Sequence, residues 1–276
     1  MSPPRAPSPF LKWAGGKRQL LPRILGSIPE RVGTYYEPFL GGGAVFFAMA
    51  SQGRFRRAVV NDANEELVNC YEALKSRVGA VIDVLRRHRY DERYYYRLRD
   101  HLPEEMTPEA RAARLIYLNR CGYNGLYRVN SEGRFNVPFG RYTKPKICDE
   151  EKLNAAAAAL ANVEIRSTDF EDAMRGASED DFVYLDPPYV PLSKTSSFTS
   201  YARAPFGEAE QTRLARALRD LGARGIRALL SNSDCRSTRA LYRGLPLRKV
   251  PVRRAINSVA AGRGSVGELL VKSFEY

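Results

Sequence analysis

Between Phe182 and Tyr189 the chain reads Phe-Val-Tyr-Leu-Asp-Pro-Pro-Tyr, and this octapeptide constrains the fold more than any other stretch. Four consecutive apolar residues describe a short buried strand. Two prolines end it, because Pro has no N–H for a ladder and restricts the residue before it. Further strand-like runs at 34–37, 58–61, Val163–Arg166 and 226–231 alternate with helix-compatible stretches, which predicts a parallel sheet with helices on both faces. Two last runs, Leu247–Val252 and 268–274, have no helix between them and predict an antiparallel pair at one edge. The expectation is therefore an α/β fold with a mixed, seven-stranded, Rossmann-like sheet.

The region 65–150 interrupts this alternation. It has little strand character but holds helical candidates at 65–89, with apolar Leu67, Tyr71, Leu74 and Val78, and at Pro108–Cys121, followed by a Gly- and aromatic-rich segment. We expect a helical subdomain over 65–150 inserted into an α/β domain made of 1–64 and 151–276. The alanine run at 155–159 predicts a surface helix over 154–162 that leads back into the sheet.

Lys and Arg number 44 against 31 Asp and Glu, a net charge of +13 that favours a polyanionic partner. Codon bias alone enriches arginine, so distribution carries more than the total. Residues 120–146 hold six Lys/Arg against one acid, Glu132, with Tyr123, Tyr127, Phe135, Phe139 and Tyr142 interleaved, and 236–263 hold eight Lys/Arg and no acid. The Arg- and Tyr-rich stretch 86–99 reads equally as a DNA grip or an exposed helix face. Cys70, Cys121, Cys148 and Cys235 are widely spaced, and the only histidines are His88 and His101. This pattern indicates neither a metal site nor a disulfide framework, and it predicts a cytosolic protein with no membrane segment.

Phe39-Leu40-Gly41-Gly42-Gly43 follows the first strand, where glycine lets a backbone approach a nucleotide-like ligand. A dinucleotide fingerprint aligned on Gly41 and Gly43 would need glycine at Phe46, which weakens that reading. Asp62 ends the second strand about twenty residues later, the separation at which an acid reaches ribose hydroxyls. It also suits a cap for the helix starting near Asn64. Phe10-Leu11-Lys12-Trp13-Ala14-Gly15-Gly16-Lys17 resembles the start of a phosphate loop, but Arg18 stands where the magnesium-binding hydroxyl belongs, which argues against a nucleotide triphosphatase.

The tetrapeptide Asp186-Pro187-Pro188-Tyr189 suits chemistry at an exocyclic amine, whose lone pair is delocalised into its ring. The Asp186 carboxylate and the Pro187 carbonyl can accept amine N–H bonds while Tyr189 stacks on the base. A strand stopped by a proline turn is the structural alternative.

These segments, together with Asn119-Arg120-Cys121-Gly122-Tyr123-Asn124-Gly125-Leu126-Tyr127-Arg128 and Phe135-Asn136-Val137-Pro138-Phe139-Gly140-Arg141-Tyr142, closely resemble the Dam family of DNA adenine-N6 methyltransferases, of D12 class, in the same order and over nearly the whole chain. The similarity continues through Pro191-Leu192-Ser193 and Phe198-Thr199. The resemblance implies an S-adenosyl-L-methionine-dependent enzyme that releases S-adenosyl-L-homocysteine and acts as a monomer on double-stranded DNA. It implies cofactor contacts from Trp13, Lys17, Phe39, Gly41, Gly43, Asp62 and Asp186, and a flipped adenine held by Asp186, Pro187, Pro188 and Tyr189.

The resemblance also implies the target GATC, with Lys12, Leu126, Arg128 and Pro138 at the bases, Tyr123 in the gap left by the flipped adenine, and Asn124 on phosphates. Asn136, Arg141 and Tyr142 fall in the same DNA-binding segments. The lesser alternatives are phosphate contacts for Lys12 and Arg128, which position without specifying, and a core role for Tyr123. Cys121 stands where relatives often carry an aromatic residue. Rival readings are methylation of cytosine N4, RNA adenine or a protein amide, and a non-catalytic regulator that binds DNA and cofactor.

Overall fold

A computed structural model describes residues 5–17, 19–190, 206–252 and 266–275. The strands are β1 (Val32–Glu37), β2 (Phe55–Asn61), β3 (Val163–Arg166), β4 (Phe182–Leu185), β5 (Arg227–Ser233), β6 (Leu247–Val252) and β7 (Val266–Lys272). Among the described residues the helices are α1 (Leu21–Leu25), α2 (Ala44–Ser51), α3 (Glu65–Arg87), α4 (Glu92–Asp100), α5 (Pro108–Cys121), α6 (Glu150–Leu160), α7 (Phe170–Ala173), α8 (Glu208–Ala223) and α9 (Arg236–Leu241).

The strands form one sheet in the order β3-β2-β1-β4-β5-β7-β6. The first five run parallel, and β7 lies antiparallel to both β5 and β6. The expected mixed sheet with an antiparallel edge pair is therefore the observed one. The last strand begins and ends two residues earlier than the apolar pattern suggests.

Period-2 alternation divides the sheet residues between two cores. Tyr35, Val60, Phe182, Tyr184 and Leu229 face the layer with α2, α3, α5 and α6, whereas Tyr36, Val59, Val183, Leu185 and Leu230 face α7 and α8. All four residues of β4 are buried, as a strand covered on both faces requires.

The order in which strands are added reverses between β1 and β4, which themselves run parallel. From β1 the order proceeds outward through β2 and β3, and from β4 it proceeds the other way to β5. Ligands of open α/β sheets bind at such a switch point, beyond the carboxyl ends of the strands. Here Tyr35 pairs with Phe182 and Tyr36 with Val183, so Glu37 and the Asp186 turn emerge side by side.

Between β2 and β3 the chain forms the helices α3 to α6 and, between α5 and α6, an irregular segment over 126–149 held by the isolated bridges Gly122↔Phe139 and Val129↔Phe135. Asn64 caps α3, its side chain accepting the Leu67 N–H, while Leu67, Cys70, Tyr71, Leu74, Val81 and Leu85 are buried. The helix is interrupted at Arg77 (φ −146°, ψ 45°) and ends at Arg87, two residues short of the expected limit. Its apolar face shares one continuous core with α5 and the sheet. The alanine-rich helix starts earlier than expected, at Glu150, and is not purely a surface helix: Leu153, Ala156, Ala157 and Leu160 are buried, because alanine lets it pack closely on α3.

Candidate active site

A cleft of about 2150 Å³ opens at the switch point. It is lined by every residue expected to hold a cofactor or the reacting base: Trp13, Lys17, Phe39, Gly41, Gly43, Asp62, Asp186, Pro187, Pro188 and Tyr189. Residues far apart in the chain thus converge because the topology places the ends of β1, β2 and β4 next to one another.

At its centre, buried Lys17 reaches Asp186, with Nζ 2.8 Å from Oδ1. The same ammonium donates to the Gly15 carbonyl at 2.7 Å and lies 4.7 Å from the Tyr189 ring centroid. Ser231 Oγ donates to Asp186 Oδ1 at 2.8 Å and is itself 3.0 Å from the Tyr184 hydroxyl. Burial raises the Asp186 pKa from its ordinary value, and Lys17 and Ser231 oppose that shift by favouring the charged form. Both contacts fall on Oδ1. The Tyr189 hydroxyl donates to Glu268 Oε2 at 2.8 Å, which fixes the ring from β7. Burial, followed by Asp186 and Glu268, pushes that phenol well above its ordinary pKa.

The glycine turn is shaped by side chains as much as by backbone freedom. Gly41 (φ 50°) and Gly43 (φ 67°) occupy the left-handed region. A Cβ on Gly41 would sit 3.0 Å from Trp13 Cδ1, and one on Gly42 3.0 Å from Trp13 Cβ. The Gly41 N–H donates to Asp62 Oδ2 at 2.8 Å, and the Asn64 N–H donates to Oδ1 at 2.9 Å. Asp62 therefore braces the turn and the approach to α3, while Asn64 is the residue that caps the helix. Burial raises the Asp62 pKa, and these two N–H bonds hold it back.

Several site residues carried no signal in the sequence. Glu37 ends β1 inside an apolar run, is buried, and accepts the Tyr35 hydroxyl at 2.7 Å. Burial pushes its carboxyl up to about 8. Phe170 and Phe206 pack on Phe39, with ring centroids 5.5 Å away in each case, and Arg213 stacks on Phe170 at 4.8 Å. Only an acid in an apolar strand, or an aromatic beyond a strand end, could have pointed to these positions.

The residues expected to contact DNA gather beside the cleft, around the end of α5. Lys12 lies over the Tyr142 ring at 4.8 Å, and its stem occupies the space a Gly125 side chain would need. Asn119 holds it there, accepting the Lys12 N–H at 2.8 Å and donating to the Lys12 and Gly125 carbonyls. Tyr123, Asn124 and Gly125 form a 3-10 turn, with Asn124 left-handed at φ 54°.

Tyr123 is 53% exposed and Leu126 37%, so neither is core. The Tyr123 N–H donates to the Pro138 carbonyl. Arg128 clamps Asn136 through Nε to Oδ1 at 2.7 Å and Nη2 to the carbonyl at 3.1 Å, which closes a hairpin whose tip is stabilised by Asn130. Arg141 is exposed, while the Tyr142 hydroxyl donates to the Gly122 carbonyl, giving that side chain a structural attachment.

Within 86–99, Tyr95 is core, and Tyr94 binds His88 Nδ1 at 2.6 Å. The tyrosines there build the subdomain, while Arg87, Arg89, Arg93 and Arg97 are exposed. In the second basic stretch Arg239 and Lys249 both pair with Asp234. Its remainder beyond 252, like 191–193, 198 and 199, lies outside the described residues.

With this geometry in place, comparison with known proteins is decisive. The family model for D12 class N6 adenine-specific DNA methyltransferases matches residues 13–257. The chain belongs to that family. Among curated relatives it is 42% identical to the type II methyltransferase M1.LlaDCHI of Lactococcus lactis subsp. cremoris over 96% of this chain and 95% of that one. It is 40% identical to the type II methyltransferase M.MjaIII of Methanocaldococcus jannaschii, covering 96% and 99%. It is 39% identical to the DNA adenine methylase of Escherichia coli K12, covering 95% and 93%.

A D12 class enzyme is an adenine-specific DNA methyltransferase with DNA as substrate, and methyltransferases of this kind use S-adenosyl-L-methionine. The described residues include no group of His, Cys, Asp and Glu that could hold a metal ion, and no helix long and apolar enough to cross a membrane.

Proposed function

We propose that this D12 methyltransferase modifies N6 of an adenine rotated out of duplex DNA, by direct in-line transfer without a covalent enzyme intermediate, and that its target is GATC. The observation that carries the reading is the Asp186 carboxylate at the switch point, held on Oδ1 by Lys17 and Ser231 beside the Tyr189 ring.

The cleft fits S-adenosyl-L-methionine by the chemistry of its walls. The Phe39, Phe170 and Phe206 rings suit a purine. Asp62, beside the Gly41 turn, suits ribose hydroxyls, and the Trp13 face suits a sulfonium. Gly43 closes the turn, and Lys17 holds the acid at the other end of the cleft. When bound, the cofactor supplies an electrophilic methyl group and is released as S-adenosyl-L-homocysteine.

The chain's own residues prepare the nucleophile. Asp186 Oδ2, which has no hydrogen-bond partner among the described residues, and the Pro187 carbonyl accept the two amine N–H bonds and localise the nitrogen lone pair. Pro188 stiffens the turn, and Tyr189 stacks on the base. Extruding one base costs a few kcal/mol, which phosphate contacts from the basic surface offset. Residues 65–150 serve as the target-recognition part. Lys12, Leu126, Arg128 and Pro138 read bases, Tyr123 fills the vacated stack, and Asn124, Asn136, Arg141 and Tyr142 support the contact with the duplex. The exposure of Tyr123 and Leu126 beside the Arg128 hairpin supports that assignment. We expect the enzyme to act as a monomer.

Asp186→Ala tests this mechanism. The variant should keep its fold yet fail to methylate; full activity would refute the role of the carboxylate.

A further inference from the structure

Two buried amides lie directly behind the Asp-Pro-Pro-Tyr turn. Gln211, on α8, is 3% exposed, and Asn232, on β5, is fully buried. Gln211 Nε2 donates to the Pro188 carbonyl at 2.8 Å, and Asn232 Nδ2 donates to Gln211 Oε1 at 3.0 Å. Asn232 Oδ1 then accepts the Val190 N–H at 3.3 Å. The Pro188 carbonyl belongs to the peptide that enters Tyr189, and the Val190 N–H to the peptide that leaves it. One linked pair of side chains therefore anchors both peptide planes flanking a single Cα, and with them the φ and ψ of Tyr189. Ser233 Oγ adds a bond to the Val190 carbonyl at 2.8 Å.

Packing alone does not call for this arrangement. Leu214, Leu218, Leu230 and Leu269 belong to the core on that face, and leucine is close to glutamine in volume. Apolar residues at these positions would satisfy a core, whereas buried amides cost free energy unless each polar group finds a partner. Here the partners are the backbone groups of the catalytic turn.

We propose that Gln211 and Asn232 are positioning residues for methyl transfer, which set the backbone of Tyr189 and so the plane against which the target base stacks. This inference rests on the reading that Tyr189 holds the base. Misplacing a reacting group by about 1 Å costs roughly a hundredfold in rate, so a relaxed turn acts on the chemical step and leaves the cofactor pocket and the DNA surface intact.

The test is a single-turnover methylation cycle with Gln211→Leu, Gln211→Glu, Tyr189→Ala and the double variant Gln211→Leu/Tyr189→Ala, on a GATC duplex with S-adenosyl-L-methionine. Gln211→Glu keeps the acceptor for Asn232 and, once its buried carboxyl is ionised at high pH, loses the donor to Pro188, so read at high pH it supplies the same test if the leucine variant unfolds. Either Gln211 variant should lower the transfer rate about ten- to hundredfold, with cofactor and DNA dissociation constants within about threefold of wild type. In the Tyr189→Ala background, Gln211→Leu should have little further effect, because its action passes through the ring.

A wild-type rate in both Gln211 variants, or rate losses that multiply in the double variant, would overturn the inference. A wild-type rate in Tyr189→Ala would instead refute the underlying reading of the ring.

Discussion

Lys17 Nζ lies 2.8 Å from Asp186 Oδ1 and ties the N-terminal glycine loop to the turn after β4. Each end of this ion pair is buried or nearly so, and the ammonium also caps the Gly15 carbonyl and faces the Tyr189 ring. The contact makes the glycine loop and the Asp-Pro-Pro-Tyr turn one electrostatic unit.

Removing the cation should expose that coupling. In Lys17→Met the acid loses the neighbour that most opposes its burial, so the Asp186 pKa should rise further. In the proposed mechanism transfer requires the ionised carboxylate, and the acidic limb of the pH–rate profile should therefore move to higher pH than in wild type. Leaving a buried charge unpaired also costs about 3–5 kcal/mol unless the group protonates. Single-turnover rates from pH 5 to 9 check this, and an unmoved acidic limb would contradict it.

Asp62 braces the glycine turn through the Gly41 and Asn64 N–H groups. Asp62→Ala leaves both donors without that acceptor, at a cost of about 1–3 kcal/mol for each one that stays buried. Cofactor affinity measured by calorimetry should fall at least tenfold, while DNA affinity without cofactor stays near wild type. Equal losses in both affinities would mean a general structural defect.

Stability should carry the imprint of Glu37. Burial pushes its carboxyl up to about 8, against the opposing effects of the Tyr35 hydroxyl and the Phe46 N–H. The folded state therefore keeps a proton that the unfolded chain has released above the ordinary carboxylate range. This contribution is complete at low pH and is lost as pH rises toward 8, by at most about 1.4 kcal/mol per pH unit. Urea midpoints between pH 5 and 8 should fall with pH more steeply in wild type than in Glu37→Gln, and parallel curves would exclude the effect.

Arg128 is half engaged. Nε and Nη2 hold Asn136, and Nη1 has no partner among the described residues. If Arg128 reads guanine, Arg128→Ala should lose about 1–3 kcal/mol of discrimination at one base pair. Methylation of duplexes that differ from GATC by one pair measures this loss, and a uniform drop across all of them would identify a phosphate contact instead.

Much of this architecture was legible because it is local. Phe182–Leu185 reads as a strand from four apolar residues and two prolines, and Pro108–Cys121 as a helix, which in the structure starts behind a Thr107 cap with Pro in its first turn. The glycine turn, Asp62 and the Asp-Pro-Pro-Tyr site carry their chemistry in adjacent residues, so motif and fold agreed on where the cleft lies. What stayed hidden depends on residues distant in the chain.

Nothing near Gln211 in the sequence points to the Pro188 carbonyl, and nothing near Glu268 points to the Tyr189 hydroxyl. Glu37 closes the strand-like run 34–37, and only the surrounding core, contributed by distant residues, makes it a buried acid. The left-handed Asn124 and the exposed Tyr123 needed the turn geometry before a core role could be set aside.

The central claim is adenine-N6 methylation at GATC, and tritiated methyl transfer from S-adenosyl-L-methionine tests it most directly. Two duplexes matched except at one site, GATC in one and GTTC in the other, are incubated with the enzyme and digested to nucleosides. The account predicts label as N6-methyladenine in the first duplex alone. Label on another nucleoside, equal label in both duplexes, or no label in either while cofactor and DNA still bind would contradict it.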